Sequence, residues 1–93
     1  MAKHDLIDAL LALDWRKTAE AFLADLLTPS EVRALSERWA VAQLLDAGEL
    51  SYREIAEAAP SSTATVVRVA RFLREMPYKG YRRVLDRLDG ARS

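Results

Sequence analysis

The sequence predicts an all-α fold of about six helices, built around a helix-turn-helix and completed by a second copy of the chain. Three observations carry that expectation. Apolar residues recur at helical spacing along the chain, with no alternating stretch of the kind that marks a strand. Start and stop signals divide the pattern into segments: Thr28-Pro29-Ser30-Glu31, Gly48, Ser51 with Glu54, Pro60 and Pro77. Finally, 51% of only 93 residues are hydrophobic, a high share for a chain below the length at which a single core is comfortably stable.

The first helix is expected over Asp5 to Leu13, with Leu6, Ile7, Leu10, Leu11 and Leu13 as its apolar positions. Asp14 has the side chain of a good N-cap for the next, Trp15 to Leu27, whose apolar residues are Trp15, Ala19, Phe22, Leu23, Leu26 and Leu27. Thr28 then caps a third helix. Pro29 occupies its first position, where a missing N–H costs nothing, and Glu31 closes a capping box. This longest helix runs to about Ala47 and stops at Gly48, a natural C′ residue.

The third helix is apolar on two stripes, Val32, Leu35, Trp39 and Ala42 on one, Val41, Leu44 and Leu45 on the other. Such a helix must be covered on several faces. A symmetric homodimer with interleaved N-terminal helices supplies that cover economically. Trp15 and Trp39, at helical spacing with other apolar residues, are assigned to the core rather than to a ligand site.

Ser51 to Leu73 reads as the helix-turn-helix. Ser51 and Glu54 form the S-x-x-E spacing of a capping box, followed by buried Ile55 and small Ala56. After a break at Ala59-Pro60, the second helix starts at Ser61 or Ser62 and turns Val66, Val69 and Leu73 inward. Ser62, Thr63, Ala64, Val67, Arg68 and Arg71 are left facing out. Pro77 ends this unit, and Tyr78 to Leu88 forms a last helix with Tyr81, Val84, Leu85 and Leu88 on one face. Gly90 to Ser93 is expected to fray. The chain is thus a single helical domain, residues 1–93: dimerisation helices over 1–48, a helix-turn-helix over 51–75 and a C-terminal packing helix over 78–89.

Composition removes several function classes. Without cysteine there is neither a disulfide framework nor a thiolate metal site. No apolar run approaches the roughly 18 residues of a membrane span, and Asp5 and Asp8 interrupt what a signal peptide would need. A cytoplasmic protein without a membrane partner is expected. The single histidine, His4, has no neighbouring ligand or base. Glu54 and Glu57 sit at exposed helical spacing, and Gly48, Gly80 and Gly90 form no phosphate loop. No catalytic residue, metal site or cofactor is expected.

Net charge is zero, but its distribution is lopsided. Residues 1–64 hold 6 basic and 11 acidic side chains, whereas residues 65–93 hold 8 basic and 3 acidic. The basic set is Arg68, Arg71, Arg74, Lys79, Arg82, Arg83, Arg87 and Arg92. Such asymmetry points to a polyanion, and phosphate neutralisation would supply most of the affinity. The outward face of the second helix suits a groove of double-stranded DNA, with small and hydroxyl residues for close approach and guanidinium groups for guanine edges or phosphates. Ser62, Thr63, Ala64, Thr65, Val67, Arg68 and Arg71 are the candidates on that helix, with Arg53, Arg74 and Lys79 for the backbone. Two classes stay open: a sequence-specific DNA-binding homodimer, and an interaction or structural dimer module that has kept the fold and lost DNA readout.

Several segments together resemble the Trp-repressor superfamily, in particular its YerC/YecD-type branch. They are Leu27-Thr28-Pro29-Ser30-Glu31, Leu44-Leu45 and Gly48, Tyr52 to Glu57, Ser62-Thr63-Ala64-Thr65, and Gly80-Tyr81-x-x-Val84-Leu85-Asp86-Arg87. The resemblance spans about Leu6 to Leu88. It implies a six-helix intertwined dimer with one helix-turn-helix per subunit, acting as a transcriptional regulator and, by name, a repressor. In the tryptophan-sensing member the indole lies between two arginines, and the matching positions here are Arg38 and Arg68, with Thr28 near the pocket. A glycine follows the second arginine in that sensor, whereas Val69 stands here and Trp39 adds bulk beside Arg38. Those side chains are expected to fill the slot, which argues against tryptophan and leaves the effector undefined. An ion pair with Glu31 or Asp46 is the structural alternative for Arg38. The family's turn usually carries a glycine with positive φ. Pro60 replaces it here, followed by Ser61 where an aliphatic is expected, so the turn must take another path.

Overall fold

The described residues form six helices: α1 (Ala2–Leu11), α2 (Arg16–Leu26), α3 (Pro29–Ala47), α4 (Tyr52–Ala58), α5 (Thr63–Arg74) and α6 (Gly80–Arg92). This computed structural model describes the backbone of residues 2–92 and the side chains of residues 5–90. The side chains of His4 and Arg92, both singled out from the sequence, lie outside the described residues. No strand occurs among the described residues. Two compact units are present, one reaching to Arg33 and the other beginning at Ala34.

In the first unit the helices differ from expectation at their ends. α1 begins at Ala2 rather than Asp5, and stops at Leu11 rather than Leu13. Asp14 does not cap α2. The N-cap is Trp15, in extended conformation and without a side-chain cap hydrogen bond, and its carbonyl accepts from Ala19 N–H at 3.1 Å. Asp14 therefore stands one residue before the position from which a carboxylate serves the second and third amides. The Thr28 box forms as read: Thr28 N–H donates to Glu31 Oε1 at 2.8 Å, and Glu31 N–H donates to Thr28 Oγ1 at 3.2 Å.

None of the described side chains of α1 and α2 is buried. Trp15 is 69% exposed, so its assignment to the core does not hold within one chain. Two helices of 10 and 11 residues offer one apolar stripe each, too little surface to enclose a bulky indole. Leu6, Ile7, Leu10, Leu11, Leu23 and Leu26 are exposed as well.

The second unit holds the core. Its buried side chains are Val41, Ala42 and Leu45 of α3, Ile55 and Ala56 of α4, Ala59 of the turn, Val66, Val69, Ala70 and Leu73 of α5, and Leu85 of α6. Trp39, Ala40, Leu44 and Tyr81 pack against it, half-buried. Trp39 is stacked with Tyr81, ring centroids 6.4 Å apart. Thus only the later turns of α3 are covered, while Val32 and Leu35 remain exposed.

Gly48 ends α3 at φ +72, its N–H donating to the Leu44 carbonyl, which is the left-handed stop that glycine makes inexpensive. α4 opens on the predicted capping box, with Ser51 N–H donating to Glu54 Oε1 at 2.9 Å and Glu54 N–H to Ser51 Oγ at 3.2 Å. α5 starts after Ser62, whose Oγ accepts from Thr65 N–H at 3.1 Å.

Beyond α5, Lys79 adopts φ +61 and its carbonyl accepts from Arg83 N–H. α6 continues through Gly90 to Arg92, so the expected fraying at Gly90 is corrected. An isolated glycine costs about 1 kcal/mol against alanine but leaves the backbone bonds intact. Of the predicted apolar face of α6, Leu85 is buried and Tyr81 half-buried, whereas Val84 and Leu88 stay exposed. Arg82 fastens α6 to α3, donating to Asp46 at 2.6 Å and to Asp86 of its own helix at 2.8–2.9 Å. Asp46 therefore pairs with Arg82 and not with Arg38. Glu31, the other suggested partner of Arg38, is used in its cap.

Candidate nucleic-acid interface

α4 and α5 pack as a pair through Ile55, Ala56 and Ala59 on one side and Val66, Val69, Ala70 and Leu73 on the other. That alternation decides what α5 presents. With the valines and leucine turned in, Thr63, Ala64, Val67, Arg68 and Arg71 are exposed along the opposite stripe. Val67 is 55% exposed, more than an apolar residue inside a packing unit would be.

The turn avoids the left-handed region altogether. Ala59 takes φ −95 and ψ 19, Ala59 N–H donates to the Ile55 carbonyl at 2.9 Å, and Ser61 N–H donates to the Ala56 carbonyl at 2.8 Å. Gly48 and Lys79 are the positive-φ residues of the described chain, and neither lies in this turn. Proline is thus accommodated by closing the connection with two backbone bonds instead of a left-handed residue. Ser61, standing where an aliphatic was expected, has its hydroxyl oxygen buried without a hydrogen-bond partner.

The candidate residues divide by what already holds them. The Ser62 and Thr65 hydroxyls meet at 3.0 Å as part of the α5 cap. Arg53 lies 3.9 Å from Glu57 at an exposed site, where such a pair holds the side chain only weakly. Arg74 donates to the Tyr52 hydroxyl and to the Leu45 carbonyl, both at 3.4 Å, so it ties α5 to the last turn of α3 and to α4. Arg68 lies over the Phe72 ring, 4.5 Å from its centroid. Arg71 and Lys79 are exposed.

Local electrostatics favour the helix starts. The Ser51 backbone N–H, and then its hydroxyl, holds the Glu54 carboxyl below its ordinary value of 4.5. Thr28 does the same for Glu31, and the hydrogen bond from Arg82 lowers Asp46. Among the described residues no group of three or more His, Asp or Glu side chains could hold a metal ion, and no helix is long and apolar enough to cross a membrane.

This arrangement coincides with a known family. The profile of the Trp repressor protein family matches residues 2–89. The chain belongs to the Trp repressor family. A candidate Trp repressor from Staphylococcus aureus shares its fold at a TM-score of 0.87 and 35% identity, over 95% of this chain and 86% of that one. A TrpR-like protein from Eubacterium eligens ATCC 27750 gives a TM-score of 0.87 and 39% identity, over 95% of this chain and 89% of that one. A comparison with curated proteins finds no match. Trp repressor proteins are helix-turn-helix regulators rather than an enzyme family.

The positions corresponding to the family's tryptophan site are placed as follows. Val69 is 1% exposed, inside the core with the rest of the inward stripe of α5. Thr28 Oγ1 is engaged by Glu31 N–H and lies 3.2 Å from the Ser30 hydroxyl. The apolar opening on this part of the chain is a groove of about 470 Å³ lined by Trp39, Phe72, Tyr78, Gly80, Tyr81 and Val84. Neither Arg38 nor Arg68 is among those residues. Phe72, Tyr78 and Tyr52 were given no functional role from the sequence. The available signal was the spacing of Phe72 four residues after Arg68, one turn along the same helix face.

Proposed function

We propose that this Trp repressor family member is a sequence-specific double-stranded DNA-binding regulator, acting in the cytoplasm as a homodimer, most simply as a repressor. The observation that carries the reading is the outward stripe of α5. Thr63, Ala64, Val67, Arg68 and Arg71 are exposed together, while the inward stripe of the same helix is closed in the core. These five residues approach base edges, with Ser62 and Thr65 ordering the first turn; Arg53, Arg74 and Lys79 contact phosphates. The second copy covers the apolar residues left exposed on α1 and α2. Thr28, Arg38 and Arg68 remain the positions at which an effector would act. Tryptophan itself is disfavoured, because Val69 and the engaged Thr28 do not offer the family's slot.

Selection from random duplex DNA at near-physiological salt tests this reading. Enrichment of a pseudo-palindrome with half-sites about one helical turn apart is the expected result. A folded protein that enriches nothing would overturn it and favour an interaction module of the same fold. Light scattering at micromolar concentration tests the dimer, and a stable monomer would refute that part.

A further inference from the structure

We infer that Phe72 is a positioning residue for Arg68, holding its guanidinium ready to read DNA; this rests on the DNA-binding function proposed above. α5 carries three exposed arginines, and each is treated differently. Arg74 is tied to Tyr52 and to the end of α3. Arg71 makes no hydrogen bond or ion pair within the described residues. Arg68 is seated over an aromatic face at 4.5 Å, where the ring quadrupole attracts the cation.

The ring under Arg68 is itself held. Phe72 is half-buried, and its ring is stacked with Tyr78 at 6.4 Å between centroids and 12° between planes. Tyr78 belongs to the connection between α5 and α6. The sequence Arg68–Phe72–Tyr78 is therefore a continuous stack running from the outward stripe of α5 to the loop behind it. An arginine fixed in this way loses less rotamer freedom when it forms a bidentate contact to a base. Phe72 does this without touching the DNA, since its other neighbours line the groove with Trp39 and Tyr81.

The test compares Phe72→Leu, which removes the ring, with Phe72→Tyr, which keeps it, in the wild-type and Arg68→Ala backgrounds. Binding is measured by anisotropy on the selected site and on single-base variants of it. Phe72→Leu is expected to lower discrimination at the base pair sensed by Arg68 about two- to five-fold, the worth of an exposed cation–π contact. Phe72→Tyr should retain it, and Phe72→Leu should add nothing once Arg68 is alanine. The salt dependence of binding should stay unchanged, because no phosphate contact is lost. In the free protein, Arg68 side-chain resonances should show a ring-current shift in wild type and Phe72→Tyr that disappears in Phe72→Leu. Equal discrimination by wild type and Phe72→Leu, an equal loss in the Arg68→Ala background, or no ring-current shift would each overturn the inference while leaving DNA binding intact. Failure of wild type to bind any duplex would instead sink the function, and this role with it.

Discussion

Ile55→Ala tests whether α4 is held as the structure shows. Ile55 is among the largest fully buried side chains, and α4 contributes only Ile55 and Ala56 to the core from its seven residues. The substitution removes three carbons. At about 0.8 kcal/mol per buried methylene the transfer loss alone is about 2.4 kcal/mol. Incomplete collapse of the space left in the core raises the total to about 3–4 kcal/mol, within the range for buried isoleucine truncations. A chain of 93 residues has a total stability of about 5–14 kcal/mol, so a single residue of a short helix commands a large share. Urea denaturation followed by helical circular dichroism reads the change, with protein concentration held fixed because association would shift the midpoint. Ile55→Val, losing one methyl, should cost about 1 kcal/mol. If Ile55→Ala falls within about 1 kcal/mol of wild type, Ile55 is not the anchor and the account of how α4 presents α5 is wrong.

Further outcomes follow from other sites. Arg71→Ala should weaken binding to a selected DNA site by about 1–3 kcal/mol, measured by competition; unchanged affinity would remove Arg71 from the base-reading set. Gly48→Ala should cost about 1–2 kcal/mol in thermal denaturation, all of it from the left-handed backbone, because an added Cβ meets nothing within 4 Å. Ser61→Ala should be stabilising by about 0.5–1 kcal/mol, since it removes a buried hydroxyl that has no partner; a clear loss of stability would show that the hydroxyl is used. Glu54 has its folded pKa below the unfolded value near 4.5. Its contribution is therefore complete above that value and is lost as pH falls through the folded pKa. A pH titration of the Ser51 amide resonance should report this transition, and Glu54→Gln should abolish it.

What was legible in the sequence was mostly local chemistry. The Thr28–Glu31 and Ser51–Glu54 boxes, the glycine stop at Gly48 and the Val66, Val69, Leu73 stripe involve residues within one or two helical turns, and spacing alone specifies them. Where a choice depended on partners elsewhere in the chain, the sequence underdetermined it. Asp14 and Trp15 compete for one cap position, and the extended backbone at Trp15 decides it. Arg38 and Arg82 are both basic residues that could pair with Asp46, yet only the approach of α6 to α3 selects Arg82. Arg74 is a candidate phosphate contact because it is basic and near the end of α5, but its partners within the chain could not be read from the sequence. Its bonds to the Leu45 carbonyl and Tyr52 hydroxyl arise from tertiary packing. The Pro60 turn was read from a family habit rather than from geometry, and a pair of backbone bonds provided a route around it.

Burial is divided unevenly along the chain, and that division bears on how the proposed dimer would work. Among the described residues every buried side chain lies after Ala34, whereas Leu6, Ile7, Leu10, Leu11 and Trp15 before it are exposed. The α4–α5 pair that would read DNA is thus closed by side chains of its own chain. The N-terminal helices have apolar faces that no described residue of their own unit encloses. In the proposed dimer these faces are covered by the second copy, so association and groove reading draw on separate sets of residues. Substitutions in the two sets should therefore combine nearly additively in a double-mutant cycle.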